Sequence, residues 1–97
     1  MQSKNKARQT DLERAWVRMV KLQPCALCGS GGGEAAPSEA HEIRQGLWFT
    51  ALALCAECHR GSNGWHGNKS LWRIRKADEL SILNETIEAV VRSLRLG

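Results

Sequence analysis

The sequence predicts a small α+β domain stapled by zinc, with an opening helix, a β-hairpin, a short helix and a long closing helix. Three observations support this prediction. Four cysteines stand in two Cys-x-x-Cys pairs, apolar residues recur at helical spacing towards both ends, and two short β-like stretches lie between the pairs. In a chain of 97 residues, a bound metal would supply folding free energy that a small core cannot.

The cysteine pairs are Cys25–Cys28 and Cys55–Cys58. A gap of two residues lets both thiolates of a pair bind one ion, and two pairs complete a tetrahedral structural zinc site. The amino-terminal residues do not form a secretory signal and no apolar run is long enough to cross a membrane, so we expect a cytoplasmic protein of a bacterial host or phage. In the reducing cytoplasm, paired cysteines bind metal in preference to forming disulfides. Covalent haem at Cys55–His59 would need export and would leave the first pair without a role.

Residues 1–9 are predicted to be a flexible basic arm, and residues 10–97 a single domain. A capping box at Thr10–Glu13 begins a helix that we expect to end near Leu22, before Pro24. Its inward residues are predicted to be Leu12, Trp16, Met19 and Val20.

The middle of the chain is predicted to form strands at 38–43 and 49–54, joined by a turn at 44–47, and then a short helix at 55–62. From Asp78 a closing amphipathic helix is expected to pack on the first helix. Its inward stripe is predicted to be Leu80, Leu83, Ile87, Val90, Val91 and Leu94.

The basic residues suggest a nucleic-acid partner. The formal charge of +4 falls to about +2 once four thiolates hold one Zn²⁺, so the distribution of charge says more than its total. Alongside the basic arm, a segment near the closing helix is predicted to contact phosphates: Lys69, Arg73, Arg75 and Lys76. The alternative is a basic surface that serves only solubility.

Histidines and a glutamate near the cysteines are not needed for zinc: His41, Glu42, His59 and His66. With the segments Glu39–Ile43, Phe49–Thr50, Leu54–Cys55 and Cys58–Gly61, their order resembles the ββα-metal nucleases of the HNH superfamily. The resemblance is to the zinc-finger-containing branch, most closely the phage recombination-enhancement (Ref) nucleases, and it covers roughly residues 23–67.

The resemblance implies a metal-dependent DNA endonuclease of phage or prophage recombination, with a catalytic Mg²⁺ or Mn²⁺ and DNA, or a recombinase filament on DNA, as partner. It places His41 and His59 at ligand positions and Glu42 at the position of the general base. The third ligand is Asn63 or His66. In the alternative assignment, His41 is the base and Glu42 is a ligand or orienting partner.

Two departures from the family pattern are Glu42, where most members have histidine, and Thr50, where many have asparagine. They leave open a non-catalytic zinc-dependent nucleic-acid-binding module, and His41 and His66 could also be an ordinary packed and an ordinary surface histidine. A zinc-held protein-interaction adaptor remains a third class, provided that its tryptophans are exposed: Trp48, Trp65 and Trp72.

Overall fold

The structure, a computed structural model, describes residues 8–62, 64–67, 72 and 78–96. Within them the elements are α1 (Asp11–Lys21), β1 (Glu39–Glu42), a 3₁₀ turn (Trp48–Thr50), β2 (Ala51–Leu54), α2 (Ala56–Arg60) and α3 (Glu79–Leu96). The prediction of a small α+β fold with a two-stranded antiparallel sheet and flanking helices is confirmed. No helix among these residues is sufficiently long and apolar to cross a lipid bilayer.

Helix α1 begins at the predicted capping box. The Glu13 N–H donates to the Thr10 hydroxyl over 3.1 Å, and the Thr10 N–H donates to the Glu13 carboxylate over 2.8 Å. Val17 and Val20 are the buried residues of the helix, whereas Leu12, which we expected to face inward, is exposed.

The hairpin pairs β1 with β2 in the register Glu39–Leu54, Ala40–Ala53, His41–Leu52 and Glu42–Ala51. Strand β2 begins later than predicted because the 3₁₀ turn occupies residues 48–50, and β1 begins after Ser38, whose N–H donates to the Lys21 carbonyl over 2.8 Å. The Thr50 hydroxyl donates to the Leu47 carbonyl over 2.7 Å and accepts from the Ile43 N–H over 3.2 Å. Thr50 therefore closes the turn, in which Gly46 takes a φ of 88° that favours glycine.

Helix α3 packs mainly on β2 and only to a small extent on α1, where we had expected its main contact. Its buried residues are Ile82, Thr86 and Val90. The Thr86 hydroxyl accepts from the Ala53 N–H over 3.1 Å and donates to the Ile82 carbonyl over 3.0 Å, which satisfies a backbone group of the fully buried β2.

The predicted inward stripe of α3 is therefore corrected. Val90 is buried and Leu83 is half-buried, but four other members of the stripe are exposed: Leu80, Ile87, Val91 and Leu94. At 3.6 residues per turn, the buried face is rotated by about 120° from the centre of the exposed stripe. The Thr86 bond to β2 requires this rotation, since it holds a polar residue against the sheet.

Candidate metal centres

The four cysteines come together as predicted. All four sulfur atoms lie within 4.8 Å of one another, and the Cys28 and Cys55 sulfurs are 3.7 Å apart. Two sulfurs on a tetrahedral zinc ion, each about 2.3 Å from it, lie about 3.8 Å apart, whereas a disulfide brings them to about 2.0 Å. The cysteines are free thiols. Their arrangement fits a structural metal such as zinc.

Both cysteine pairs use the same local turn. The N–H of Cys28 donates to the Cys25 sulfur, and the N–H of Cys58 donates to the Cys55 sulfur, each over 3.4 Å. Cys55 is also the N-cap of α2. The first pair is tied to β2 because the Ala26 N–H donates to the Ala53 carbonyl over 2.9 Å.

The electrostatics of the cysteine cluster call for a cation. Burial raises the pKa of Cys25 and of Cys58. Burial acts in the same direction on the more exposed Cys28, but hydrogen bonds from the Ser30 hydroxyl and backbone outweigh it and lower its pKa to about 6. Four crowded thiolates are unfavourable without a compensating charge, and a divalent ion supplies that charge.

A second cluster joins His41 of β1, His59 of α2 and His66 of the following turn. His41 Nδ1 lies 3.1 Å from His59 Nε2, which in turn lies 3.2 Å from His66 Nε2. One nitrogen from each ring falls within 4.8 Å of the other two. Nitrogens bound tetrahedrally at about 2.05 Å lie about 3.3 Å apart, so the three imidazoles fit one metal ion.

The backbone after α2 positions His66. The His66 N–H donates to the His59 carbonyl over 3.0 Å, and the Trp65 N–H donates to the Cys58 carbonyl over 2.8 Å. Gly64 lies so close to α2 that a Cβ there would stand 2.4 Å from the Glu57 carbonyl oxygen. This close approach folds residues 64–67 back over α2 and brings the His66 ring to His59.

Two carboxylates bind His41 and His59 through the ring nitrogens that face away from the cluster. Glu79 of α3 lies 2.5 Å from His41 Nε2, and Glu39 of β1 lies 2.8 Å from His59 Nδ1. Each bond leaves the opposite ring nitrogen directed into the cluster. Metal-binding histidines are commonly oriented in this way. Glu39 and Glu79 were missed by the sequence analysis.

Arg60 fixes the charge of Glu39. Its guanidinium donates to both carboxylate oxygens over 2.6–3.1 Å. These bonds, opposed by burial and assisted by His59, lower the pKa of Glu39 to about 2. Glu39 is therefore ionised at neutral pH and accepts the hydrogen bond of the His59 ring.

Glu42 does not belong to this cluster. Side chains alternate along a strand, so Glu39 and His41 share one face of β1 and Glu42 points to the other. Its carboxylate accepts from the Gly46 N–H over 3.3 Å. Asn63 lies outside the described residues, as do four basic residues that we predicted to contact phosphates: Lys69, Arg73, Arg75 and Lys76.

Trp72 belongs to the core and Trp65 packs against it, and none of the three tryptophans forms an exposed platform. Trp72 is almost fully buried, and its ring centre lies 4.8 Å from that of the half-buried Trp65. Trp48 is also half-buried. The exposed tryptophans that the adaptor hypothesis requires are thus not found.

Comparison with protein-family models, with curated proteins and with solved structures gives no match for this chain. Its class is therefore defined by the fold and the two clusters. It is a small α+β protein in which a four-cysteine cluster and a three-histidine cluster adjoin each other through Cys58 and His59.

We expect Glu39→Ala to weaken metal binding at the three-histidine cluster by about 10–100-fold, because His59 loses the carboxylate that orients its ring. Titration with Co²⁺ of protein that carries one equivalent of zinc, in the four-cysteine cluster, followed by visible absorption, measures the affinity. Glu42→Ala is the matched control, since it removes the same side chain from the opposite face of β1. Equal affinities for the two variants would contradict the orienting role of Glu39.

Proposed function

We propose that the protein is a metal-dependent endonuclease that hydrolyses phosphodiester bonds in DNA. One observation carries the proposal: three imidazoles from a hairpin, a short helix and a turn converge on one point, and two of them are oriented by carboxylates. The order of these residues around the cysteine pairs, which resembles that of the zinc-containing HNH nucleases, supports DNA as the substrate.

The donor set favours a borderline ion. His41, His59 and His66 offer only imidazole nitrogens, which suit Zn²⁺, Ni²⁺ or Co²⁺ better than the oxygen-preferring Mg²⁺ or Mn²⁺ that we expected from the sequence. When bound, such a cation supplies Lewis-acid stabilisation of negative charge on the phosphate oxygens.

The protein holds the three histidines in place and leaves one side of their cluster open to solvent. His41 is buried and held by Glu79, whereas His66 is exposed, so the cluster opens to solvent on the His66 side. The Arg60 side chain is 65% exposed beside His59 and adds positive charge at this rim, partly neutralised by Glu39. A phosphodiester would approach from this open side.

The test is cleavage of supercoiled plasmid by the zinc-loaded protein, with Zn²⁺, Ni²⁺, Co²⁺, Mn²⁺ or Mg²⁺ added in separate reactions. We expect nicking with the first three ions and weaker nicking with Mn²⁺ or Mg²⁺. Single-stranded DNA and DNA coated with a recombinase are tested in parallel. If no ion supports cleavage of any substrate, the catalytic proposal fails, and a salt-sensitive mobility shift would then identify a nucleic-acid-binding module.

A further inference from the structure

Helix α3 carries an apolar stripe that no other part of the described chain covers. Its four apolar members have exposed fractions of 71% for Leu80, 41% for Ile87, 47% for Val91 and 60% for Leu94. The stripe lies beside the buried face of Ile82, Thr86 and Val90 that packs on β2. Exposed apolar rows of this kind on a small protein mark interaction surfaces.

The spacing of the stripe is that of a helix-packing seam. Leu80, Asn84, Ile87, Val91 and Leu94 are separated by alternating steps of four and three residues. This is the heptad pattern in which one helix presents a narrow seam to another, with β-branched and leucine side chains at the contact positions. A depression along the same side of α3 is lined by Ile87 and Val91 together with polar residues, and could receive side chains of a facing helix.

The charges beside the seam indicate what faces it. Beside the seam, the first half of α3 carries Glu88, which also pairs with Arg92 of the same helix over 2.7 Å, and the second half carries Arg95. Laid antiparallel, a second α3 would set its basic half against the acidic half of the first. A parallel copy would set like charges side by side. The surface is thus complementary to itself in one orientation, which is the property of a two-fold interface.

We propose that this face of α3 binds a second copy of the chain in an antiparallel, two-fold arrangement. Ile87 and Val91 of one copy pack against Val91 and Ile87 of the other at the centre. Leu94 lies near Asn84 of the second copy towards each end, where the amide remains in contact with water. Glu88 lies on the same side of the seam as Arg95 of the second copy.

The contact between two copies of α3, each of 18 residues, buries a small area. Interfaces below about 1,200 Å² in total belong to the weak and transient class. We therefore expect dissociation in the micromolar range, on the order of 1–100 μM. The inference uses no residue of either metal cluster and does not depend on the proposed nuclease activity.

Sedimentation equilibrium of the zinc-loaded full chain, from about 1 μM to 500 μM, tests the proposal across the expected range. The wild type should shift from monomer to dimer, and the double variant Ile87→Asp, Val91→Asp should remain monomeric. Leu12→Asp is the matched control, since it replaces an exposed leucine of α1 and should leave the dimer intact. Circular dichroism verifies that every variant is folded. A wild type that stays monomeric at the highest concentration, or a double variant that still dimerises, would overturn the proposal.

Charge reversal tests the orientation. Glu88→Arg and Arg95→Glu should each weaken the dimer roughly tenfold, because each places like charges together at two symmetry-related positions. The combined variant should recover most of the loss. Glu85→Arg, which makes the same charge change away from the seam, serves as the control. If the single reversals at Glu88 and Arg95 have no effect, the antiparallel arrangement is wrong.

Discussion

Cys58→Ser is expected to leave the chain largely unfolded at 25 °C, and chelation of the wild type should have the same effect. Structural zinc contributes an apparent free energy of about 10–16 kcal/mol in small zinc domains, which is as large as the entire stability of most proteins, about 5–15 kcal/mol. Cys58 is buried and stands on α2, which has five residues. A helix this short is not stable without its tertiary contacts.

Far-ultraviolet circular dichroism and zinc content of the purified protein measure this effect. Ser30→Ala is the matched control, since it removes the hydroxyl 3.1 Å from the Cys28 sulfur but no ligand. It should cost about 0.5–1.5 kcal/mol. A chain that keeps its cooperative melting after chelation, or that contains a disulfide or less than half an equivalent of zinc when freshly reduced, would rule out the structural zinc site.

His59→Ala should abolish DNA cleavage while the four-cysteine cluster and the fold persist. His59 Nε2 lies between His41 and His66 in the cluster, so its loss removes the central donor. Loss of a general base alone typically costs 10²–10⁴-fold in rate, and we expect loss of the cation to cost at least as much. The metal content should fall from two equivalents to one.

His41→Ala should lose the same cation, since its Nδ1 also faces the cluster. If the variant keeps the cation but loses cleavage, His41 is the proton acceptor instead. Glu42→Ala is the control and also tests the alternative base. Because the Glu42 carboxylate bonds the Gly46 N–H on the other face of β1, we expect cleavage to be retained. Inactivity of a folded, fully metallated Glu42→Ala protein would return Glu42 to a catalytic role.

Local signals in the sequence were sufficient for much of the fold. The spacing of the cysteines predicts their cluster, and the Thr10–Glu13 capping box marks the start of α1. Local signals do not predict which face of α3 is buried. The helix has two apolar faces, and the buried one includes Thr86, whose polarity makes the exposed stripe the stronger periodic signal.

Of the two carboxylates that bind the histidine cluster, Glu39 is predictable from the sequence and Glu79 is not. Glu39 stands two residues before His41, so the alternation of a strand places it on the same face, and this signal was overlooked in favour of the adjacent Glu42. Glu79 is 38 positions from His41 in the chain. Their contact depends on how α3 docks on β2, which no local pattern encodes.

If both clusters bind an ion, the adjacency of Cys58 and His59 on α2 couples the two binding events. An ion held by the cysteines fixes the short helix, and with it the direction of the His59 ring. Occupancy of either cluster then favours occupancy of the other, and reciprocity requires the two affinities to rise by the same factor. Removing the cysteine-bound ion would release the helix and lower the affinity of the histidine cluster for its own ion.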